Sequence, residues 1–412
     1  MAAEIERDVS GLTRRALITR LVAAGFAAPA IASIVADGAW AQGAATPAAT
    51  PAAGSFNSPF TIIPPDDDPA TSLASIGVKT PLIAHGGFNF GTPPDLVDGF
   101  DVANDVFYIR SHGPSARLDD LSKYRLTVGG LVDKPLTLTL DDLKGMPQRK
   151  FQSFLECSGN SRGFFSPIAK GGQWRNDAVG NAEWSGVPLH DVLTQAGVKD
   201  GAVDVVSQGG DFPEMQRGLP IATARGADIL LVLQMNGEDL PAPHGGPVRL
   251  FVPGWGGVAS TKWIIDLTVV DHPFEGEFNT KNYIVIDEFG AVVRPVREMP
   301  VSSALWTPAP GAQLKTGPNT LTGYAWSGMG GITQVEVSTD NGDTWVDAKI
   351  TDNSPPHSWA RFEHAWDAVP GPTGLLTRAH DDRTRSQPAS TPWNQLGFQY
   401  DAVQRVLVTV VA

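Results

Sequence analysis

The spacing of apolar residues divides the chain into two regions with different predicted structures. Between about residues 124 and 280, short runs rich in Val, Ile and Leu alternate with Gly- and Pro-rich stretches, which indicates strands joined by loops. The predicted strands lie at 125–128, 202–207, 229–234, 248–252 and 263–270. Two short helices are predicted at 140–144 and 189–195, each followed by a glycine. The region has neither a strict β-α-β alternation nor a GxGxxG fingerprint, so a nucleotide-binding Rossmann domain is not expected.

From about residue 299 the pattern changes to short β-like segments at regular spacing. They lie at 301–306, 320–326, 332–338, 344–350, 360–366, 374–380 and 406–411. Asp340-Asn341-Gly342-Asp343 predicts a hairpin turn between two of them, because glycine adopts positive φ at little cost. Seven such strands over about 110 residues predict an immunoglobulin-like sandwich.

The N-terminal residues predict an export signal. TRRALI at 13–18 is a twin-arginine pattern, a mildly apolar run follows, and Ala39-Trp40-Ala41 matches an A-x-A cleavage site. The alternative is an amphipathic helix with two chance arginines. We expect a signal peptide at 1–41, a flexible leader at 42–58 and a periplasmic mature protein. Because the twin-arginine route carries folded proteins, a cofactor inserted before export is also expected.

The formal net charge of −13 restricts the possible partners. Acidic and basic residues cancel within the predicted signal, so the mature chain keeps the whole excess of acid. This charge disfavours nucleic acid, whose phosphates need a basic surface. It is compatible with a basic protein partner, although solubility alone also explains it. Beyond the signal, no stretch is long and apolar enough to predict a membrane span.

Cys157 is the only cysteine in the 412 residues. It cannot form a disulfide within the chain, and it cannot share a metal with a second cysteine. Three possibilities follow from the residue alone: an inert buried thiol, a nucleophile, or one thiolate ligand to a metal whose other ligands come from elsewhere.

Six short motifs occur in order around this cysteine. They are FYIRSH at 107–112, LECSGNSR at 155–162, GNAEWSGVPL at 180–189, MNGEDLP at 235–241, HGGPVR at 244–249 and VPGWGG at 252–257. In this order they resemble the molybdenum domain of the sulfite oxidase family, and the predicted sandwich resembles that family's dimerisation domain. The resemblance covers about residues 100–412 and implies an α+β fold. A mixed α/β molybdopterin domain at 59–298 is expected, followed by the all-β immunoglobulin-like domain at 299–412.

The resemblance implies a molybdenum–molybdopterin cofactor in which Cys157 is the protein ligand to the metal. Sulfur ligands suit molybdenum, and the neighbouring Ser158 and Gly159 are small enough to allow close approach. Arg110 and Arg162 match the family's anion-binding arginines. A guanidinium group suits a tetrahedral oxyanion because it offers paired donors and keeps its charge, although an isolated arginine more often forms a surface ion pair.

Further residues match positions at which the family holds the pterin and its phosphate. Phosphate binding needs cations and hydrogen-bond donors. The implied contacts are Tyr108, Arg110, His112, Cys157, His244, Arg249, Ser260 and Lys262. Taken singly, the histidines could be satisfied by backbone and Lys262 could be a solvated charge. Asn160 is expected to shape its loop rather than to touch substrate.

The sequence departs from the family pattern at two places. The stretch at 209–220, where we expect the family's active-site tyrosine, contains none; the five tyrosines are at 108, 124, 283, 324 and 400. At 327–332, glycine stands where the family has an arginine that reaches in from the second domain. A less cationic, more open pocket is therefore expected, in which Glu214 or Arg217 replaces the missing group.

The resemblance implies an enzyme that oxidises sulfite to sulfate and passes electrons to an external c-type cytochrome. No haem is expected in this chain, since it has no CxxCH motif and too little sequence before residue 60 for a cytochrome b₅ domain. The open pocket leaves two alternatives, a sulfane sulfur carried on a partner protein and reduction of an S-oxide. A degenerate, non-enzymatic member of the family is a third possibility. A homodimer is also implied by the resemblance.

Overall fold

Strands dominate the described part of the chain, which comprises residues 56–352 and 355–412 of the computed structural model. The predicted signal at 1–41 and most of the predicted leader at 42–58 lie outside the described residues. The helices are short: α1 (Pro69–Ser75), α2 (Leu140–Gly145), α3 (Leu189–Ala196), α4 (Ile221–Ala224) and α5 (Glu277–Thr280). No helix within the described ranges is long and apolar enough to cross a membrane.

Between residues 56 and 298 the structure contains seventeen strands. They are β1 (Thr61–Ile63), β2 (Ile83–Ala84), β3 (Asn89–Gly91), β4 (Ile109–Arg110), β5 (Ser115–Arg117), β6 (Leu126–Gly130), β7 (Leu136–Leu138), β8 (Arg149–Glu156), β9 (Val179–Pro188), β10 (Asp204–Gly209), β11 (Gln216–Pro220), β12 (Leu230–Met235), β13 (Glu238–Asp239), β14 (Arg249–Phe251), β15 (Ile264–Val270), β16 (Ile284–Ile286) and β17 (Val292–Pro295). The five predicted strands and two predicted helices of this region are confirmed to within a few residues.

Two five-stranded sheets form the framework of the first region. One has the order β11-β10-β15-β6-β7 and is antiparallel except where β6 pairs with β15. The other has the order β13-β12-β9-β8, with β14 also paired to β12. A large cluster of buried apolar residues contains members of both sheets, including Leu126, Leu231 and Ile264. Burial of these side chains fixes the loops that follow β8, β12 and β14 relative to one another.

The long strands β8 and β9 were missed by the sequence patterns. They pair antiparallel along eight residue pairs, from Arg149–Gly186 to Glu156–Val179. Glycines within β9 weaken its β signal, but the packing requires them: a Cβ on Gly180 would lie 2.7 Å from the Phe107 ring. Glycine inside a strand marks such close approach of a neighbouring group.

After residue 299, the described residues form strands and loops without a helix. The strands are β18 (Ser302–Thr307), β19 (Gln313–Lys315), β20 (Gly317–Trp326), β21 (Ile332–Ser338), β22 (Val346–Asp347), β23 (Lys349–Ile350), β24 (Ala360–Ala368), β25 (Gly371–Asp381) and β26 (Arg405–Val411). The sheets β18-β20-β24-β23 and β19-β26-β25-β21-β22 share one buried cluster that includes Leu321, Val335 and Phe362. The segment predicted at 344–350 is two strands rather than one, and β19 was not predicted. The predicted turn is confirmed, with Asn341 and Gly342 at φ 64° and 99°.

Aromatic side chains of the second region pack against the first. Trp326 Nε1 donates to a carboxylate oxygen of Glu156 at 2.8 Å, and Tyr324 and Trp359 donate to backbone carbonyls of Gly99 and Phe100. Residues 57–412 accordingly form one compact unit. The expected α+β class holds only in part, because the described chain is mostly β with few helices, and the domain boundary at 298/299 stays a prediction.

Candidate active site around Cys157

A pocket of about 680 Å³, partly open to solvent, lies where the loop after β8 meets the loops that flank β4, β14 and β15. Eight of the nine predicted site residues line it. They are Tyr108, Arg110, His112, Cys157, His244, Arg249, Ser260 and Lys262. Residues from distant parts of the chain therefore meet around the single cysteine, as the motif order predicts. Their individual roles stay predictions.

Cys157 lies in a rigid loop directly after β8. Its side chain is 6% exposed, its backbone N–H donates to Ala178 O at 2.9 Å, and its carbonyl accepts from Asn160 N–H at 2.8 Å. Asn160 also donates through its side chain to Glu156 and accepts from Ala178 N–H, both at 3.0 Å. As expected, Asn160 shapes the loop. The Cys157 thiol is thus held at the pocket wall with little freedom to move.

A tyrosine from outside the stretch at 209–220 reaches this pocket, and no role was predicted for it from the sequence. Tyr283 lines it, and the Tyr283 hydroxyl is hydrogen-bonded to His112 Nε2 and contacts the Arg110 guanidinium. Tyr283 has φ 60°, a left-handed conformation that is uncommon for a bulky residue and that typically occurs at functional sites. The sequence contains no local signal for this placement.

Charge is distributed unevenly in the cluster of Arg110, His112 and Tyr283. Burial opposes the charge of Arg110, but the neighbouring Tyr283 and Cys157 outweigh burial, so the pKa of Arg110 is raised. Burial, with Arg110 and Lys262 nearby, holds the pKa of His112 well below its usual range. Burial raises the pKa of Tyr283, partly offset by Arg110. Near neutral pH the cluster therefore contains one cation, a neutral imidazole and a protonated phenol.

The opposite part of the pocket contains two more buried basic side chains. Lys262 Nζ donates to Ser111 Oγ at 2.7 Å and to Pro243 O at 3.1 Å. The Arg249 guanidinium donates to the carbonyls of His244 and Ser260 at 2.8 and 2.9 Å. Burial lowers the pKa of Arg249 to about 10 and places that of Lys262 well below its ordinary value. Both residues were already assigned to this pocket from the sequence, and no residue of the described turn at 327–332 lines it, so the expectation of a less cationic, more open pocket stays a prediction.

Burial also sets the pKa values of two further pocket residues, His244 and Asp211. His244 Nε2 donates to Asn104 O at 2.8 Å, and burial lowers the pKa of His244 to about 3, so its ring is neutral. Asp211 also lines the pocket, and burial raises its pKa to about 6, opposed by Lys262. Sequence reasoning missed Asp211, which lies in the stretch searched only for a tyrosine.

Arg162 does not line the pocket. Its Nε donates to Leu396 O and Gly397 O at 3.1 and 3.2 Å, and its Nη1 donates to Gly172 O at 3.0 Å. Burial lowers the pKa of Arg162, opposed by Cys157. This arginine therefore ties the Cys157 loop to the second region, and its predicted anion-binding role stays a prediction.

The two residues expected to replace the missing groups lie outside the pocket lining. Glu214 is exposed. Arg217 is buried and donates to the backbone carbonyls of Phe278 and Val296, the latter at 3.0 Å. These carbonyls lie on either side of Tyr283 in the chain. Arg217 thus supports the segment that carries Tyr283.

The pocket fits an anionic, sulfur-bearing cofactor such as molybdopterin. Ser158 Oγ, Asp211 Oδ1 and Arg249 Nε are buried without a hydrogen-bond partner among the described residues, and all three residues line the pocket. A polar ligand satisfies such atoms. The cations Arg249 and Lys262 suit a phosphate, and Cys157 supplies a sulfur ligand for molybdenum. A Cβ on Gly256 would lie 2.1 Å from Ser158 Oγ, so the loop leaves no room for a larger residue there.

Comparison with known proteins gives two family matches. Residues 112–278 match the family described as oxidoreductase molybdopterin binding domain. Residues 293–411 match the Mo-co oxidoreductase dimerisation domain. The chain therefore carries a molybdopterin-binding domain and a second domain of the type that follows it in these enzymes.

Individual relatives agree with these matches. The sulfite oxidase of Arabidopsis thaliana is 32% identical over 351 residues, covering 76% of this chain and 89% of the relative. The mitochondrial sulfite oxidase of Mus musculus is 34% identical over 352 residues, and the match covers 79% of this chain but only 64% of that protein. Among solved structures, the sulfane dehydrogenase SoxCD from Paracoccus pantotrophus is similar at a TM-score of 0.73 and 30% identity, covering 80% of this chain and 86% of that one.

Proposed function

This chain belongs to the sulfite oxidase family of molybdenum enzymes, and from that premise we propose that it oxidises sulfite to sulfate. Sulfite and water give sulfate, with release of two protons and two electrons. The observation that carries the proposal is the cluster of Arg110, His112 and Tyr283 beside Cys157. It combines a persistent cation with a phenolic donor, and this combination recognises a small oxyanion.

The cofactor would be held by residues at both ends of the pocket. Cys157 would bind the metal, Arg249 and Lys262 would face the phosphate, and Asp211 and His244 would accept or donate hydrogen bonds to the pterin. When bound, the molybdenum centre supplies the two-electron oxidation of sulfur. The protein's own contribution is placement of the anion and fixed charge around it.

The substrate-binding step depends on which groups are charged. Arg110 can only donate, so the Tyr283 oxygen accepts from it. Because His112 is neutral, its Nε2 can accept a hydrogen bond from the Tyr283 hydroxyl. The phenol is then polarised by Arg110 as donor and by His112 as acceptor. A sulfite dianion entering the pocket gains the guanidinium as a donor, and it gains the phenol as a second donor when the single Tyr283 O–H turns from His112 to the anion. The positive field that concentrates such an anion weakens with added salt.

Reduction of the bound metal by sulfite tests this proposal directly. The full chain, matured in a molybdopterin-competent host, is mixed with sulfite and less than one equivalent of ferricyanide and frozen for electron paramagnetic resonance. Ferricyanide is needed because sulfite delivers electrons in pairs, and it removes them one at a time. We expect a signal from the one-electron-reduced metal. A signal after dithionite but none after sulfite would overturn the substrate assignment while leaving the cofactor in place.

A second candidate substrate is a sulfane sulfur carried on a partner protein. The structural similarity to the sulfane dehydrogenase SoxCD supports it. Steady-state kinetics separates the two candidates. The value of kcat/KM for free sulfite is compared with the value for a carrier protein that bears a persulfide. Efficient turnover of free sulfite with no activity on the carrier would exclude the second candidate.

We further propose a periplasmic homodimer that passes its electrons to a c-type cytochrome. The twin-arginine pattern at 13–18 supports export, and the match to a dimerisation domain supports pairing through an immunoglobulin-like second domain. Replacing Arg14 and Arg15 together with lysine should retain the protein in the cytoplasm in cell fractionation. Sedimentation showing a monomer at micromolar concentration would refute the dimer.

A further inference from the structure

The hairpin that follows Tyr283 exposes an unusual group of apolar side chains. It consists of β16, a turn and β17, and its Phe289, Val292 and Val293 are 86, 63 and 59% exposed. The hairpin is well ordered, because Asp287 N–H donates to Ala291 O at 3.0 Å across the turn. Adjacent exposed apolar side chains on a rigid element typically mark an interaction surface.

The base of this hairpin is fixed against the rest of the molecule. Val296 N–H donates to Tyr283 O at 2.7 Å, which closes the hairpin immediately beside the pocket tyrosine. Gln395 N–H donates to Ile286 O at 2.9 Å, which attaches β16 to the loop before β26. A partner bound to the hairpin would therefore lie on a rigid extension of the pocket wall.

Acidic residues surround the apolar group in the chain. Residues 271–288 contain one lysine, Lys281, and five acidic residues: Asp271, Glu275, Glu277, Asp287 and Glu288. Two arginines and one more acid follow, Arg294, Arg297 and Glu298, and the arginines keep their charge although Arg294 donates to Gln399 and Arg297 lies over the Trp255 ring. Residues 271–298 therefore contain six acidic and three basic side chains. An apolar centre with charged surroundings is the usual composition of a protein interface, and the charges that flank this centre in the chain are mostly negative.

We propose that the hairpin at 284–295 is the docking surface for a basic redox protein that takes electrons from the cofactor. The inference rests on the proposed function only in that it requires electrons to leave the pocket. The excess of acidic residues selects a partner with positive surface charge and increases its rate of encounter. Phe289, Val292 and Val293 supply apolar contact area, which the charged residues alone do not provide.

A second copy of this chain is a less suitable occupant. A twofold interface brings the same patch of both subunits together, so two patches that each carry an excess of acidic residues would meet. Like charges placed together across an interface are unfavourable, whereas a basic partner neutralises them. Charge thus favours a different protein over self-association at this surface.

Stopped-flow reoxidation tests the proposal without depending on the substrate. Cofactor-loaded full chain is reduced with dithionite, freed of excess reductant and mixed with an oxidised basic c-type cytochrome at low ionic strength. Phe289→Ser and Val292→Ser should each lower the bimolecular rate about five- to tenfold, as expected for central interface residues. Glu288→Lys should lower the rate and weaken its dependence on salt.

Two matched variants control for general effects. Val369 is 68% exposed in the turn between β24 and β25, and Val369→Ser should keep the wild-type rate within about twofold. Asp343→Lys controls for the charge reversal. Reoxidation by ferricyanide, a small anion that needs no docking surface, should be the same in all variants.

Several results would overturn the proposal. These are an unchanged cytochrome rate in Phe289→Ser, an equal loss in Val369→Ser, and a wild type that reacts no faster with the basic cytochrome than with an acidic redox protein. Conversion of a dimer to a monomer by Val292→Ser would instead assign the surface to a second copy. Failure of sulfite to reduce the metal would refute only the substrate assignment, because dithionite supplies the electrons here.

Discussion

Replacing Tyr283 with phenylalanine removes one oxygen atom from the pocket and leaves the ring packing in place. The ring stacks on Phe398 at 4.8 Å between centroids and contacts His112 and Phe278, and none of these contacts needs the hydroxyl. The variant should therefore fold and load its cofactor normally. Its unfolding temperature and molybdenum content are expected to match the wild type.

The lost hydroxyl has two partners, Arg110 and His112. A hydrogen bond to a charged group contributes about 1.5–3 kcal/mol, and about 1.4 kcal/mol corresponds to tenfold in a rate or equilibrium constant. If substrate uses the phenol as a donor, kcat/KM for sulfite should fall about 10- to 100-fold. Most of the loss should appear in KM, because Arg110 becomes free to reorient away from the anion.

The assay is steady-state sulfite oxidation with ferricyanide as acceptor, with KM and kcat measured separately. Tyr324→Phe is the matched control, since the Tyr324 hydroxyl donates to Gly99 O outside the pocket. This control should keep kcat/KM within about twofold of the wild type. Wild-type KM and kcat in Tyr283→Phe would refute the assignment of this cluster as the substrate site.

Three further variants test other parts of the structure. Arg217→Lys removes one of the two hydrogen bonds that Arg217 donates to the segment carrying Tyr283. It should lower the free energy of unfolding by about 2 kcal/mol in chemical denaturation and raise KM for sulfite. A change in stability with an unaltered KM would contradict the support role. Gly159→Ala places a Cβ 2.5 Å from a guanidinium nitrogen of Arg162, so we expect reduced molybdenum content by elemental analysis, and full loading would show that the loop can adjust. Hydrogen bonds, the largest from the Thr344 side chain, lower the pKa of Asp340 to about 2. The stabilisation is therefore present above the ordinary carboxyl pKa of about 4 and lost as pH falls towards about 2, so Asp340→Asn should lower the melting temperature at pH 7 more than at pH 2.

The sequence predicted much of the second region because its strands follow simple local rules. Apolar runs of about the right length, separated by turn residues, recur there at regular spacing. Asn341 and Gly342 adopt the positive φ that their residue types favour. Where the pattern failed, as at 344–350, the single residue Ala348 separates two short strands, and only the pairing partners reveal the break.

The first region was harder to predict because tertiary contacts override its local pattern. Gly180 and Gly186 lower the β signal of β9, yet both are required by close neighbours: a Cβ on Gly186 would lie 2.1 Å from Leu231 O. Strand β8 begins with polar residues and becomes fully buried only towards Cys157. Propensity is a weak prior where burial and backbone pairing decide the conformation.

The sequence by itself determined the chemistry at the centre of the pocket. A single cysteine in an ordered set of motifs made Cys157 the predicted metal ligand, and the family resemblance of those motifs pointed to the basic residues that line the pocket. The tertiary structure alone decided which groups surround that cysteine. It brought Tyr283 in through a strained backbone conformation, and it tied Arg162 to carbonyls near residue 396. Contacts between distant segments depend on how whole sheets pack, and a local pattern does not record that information.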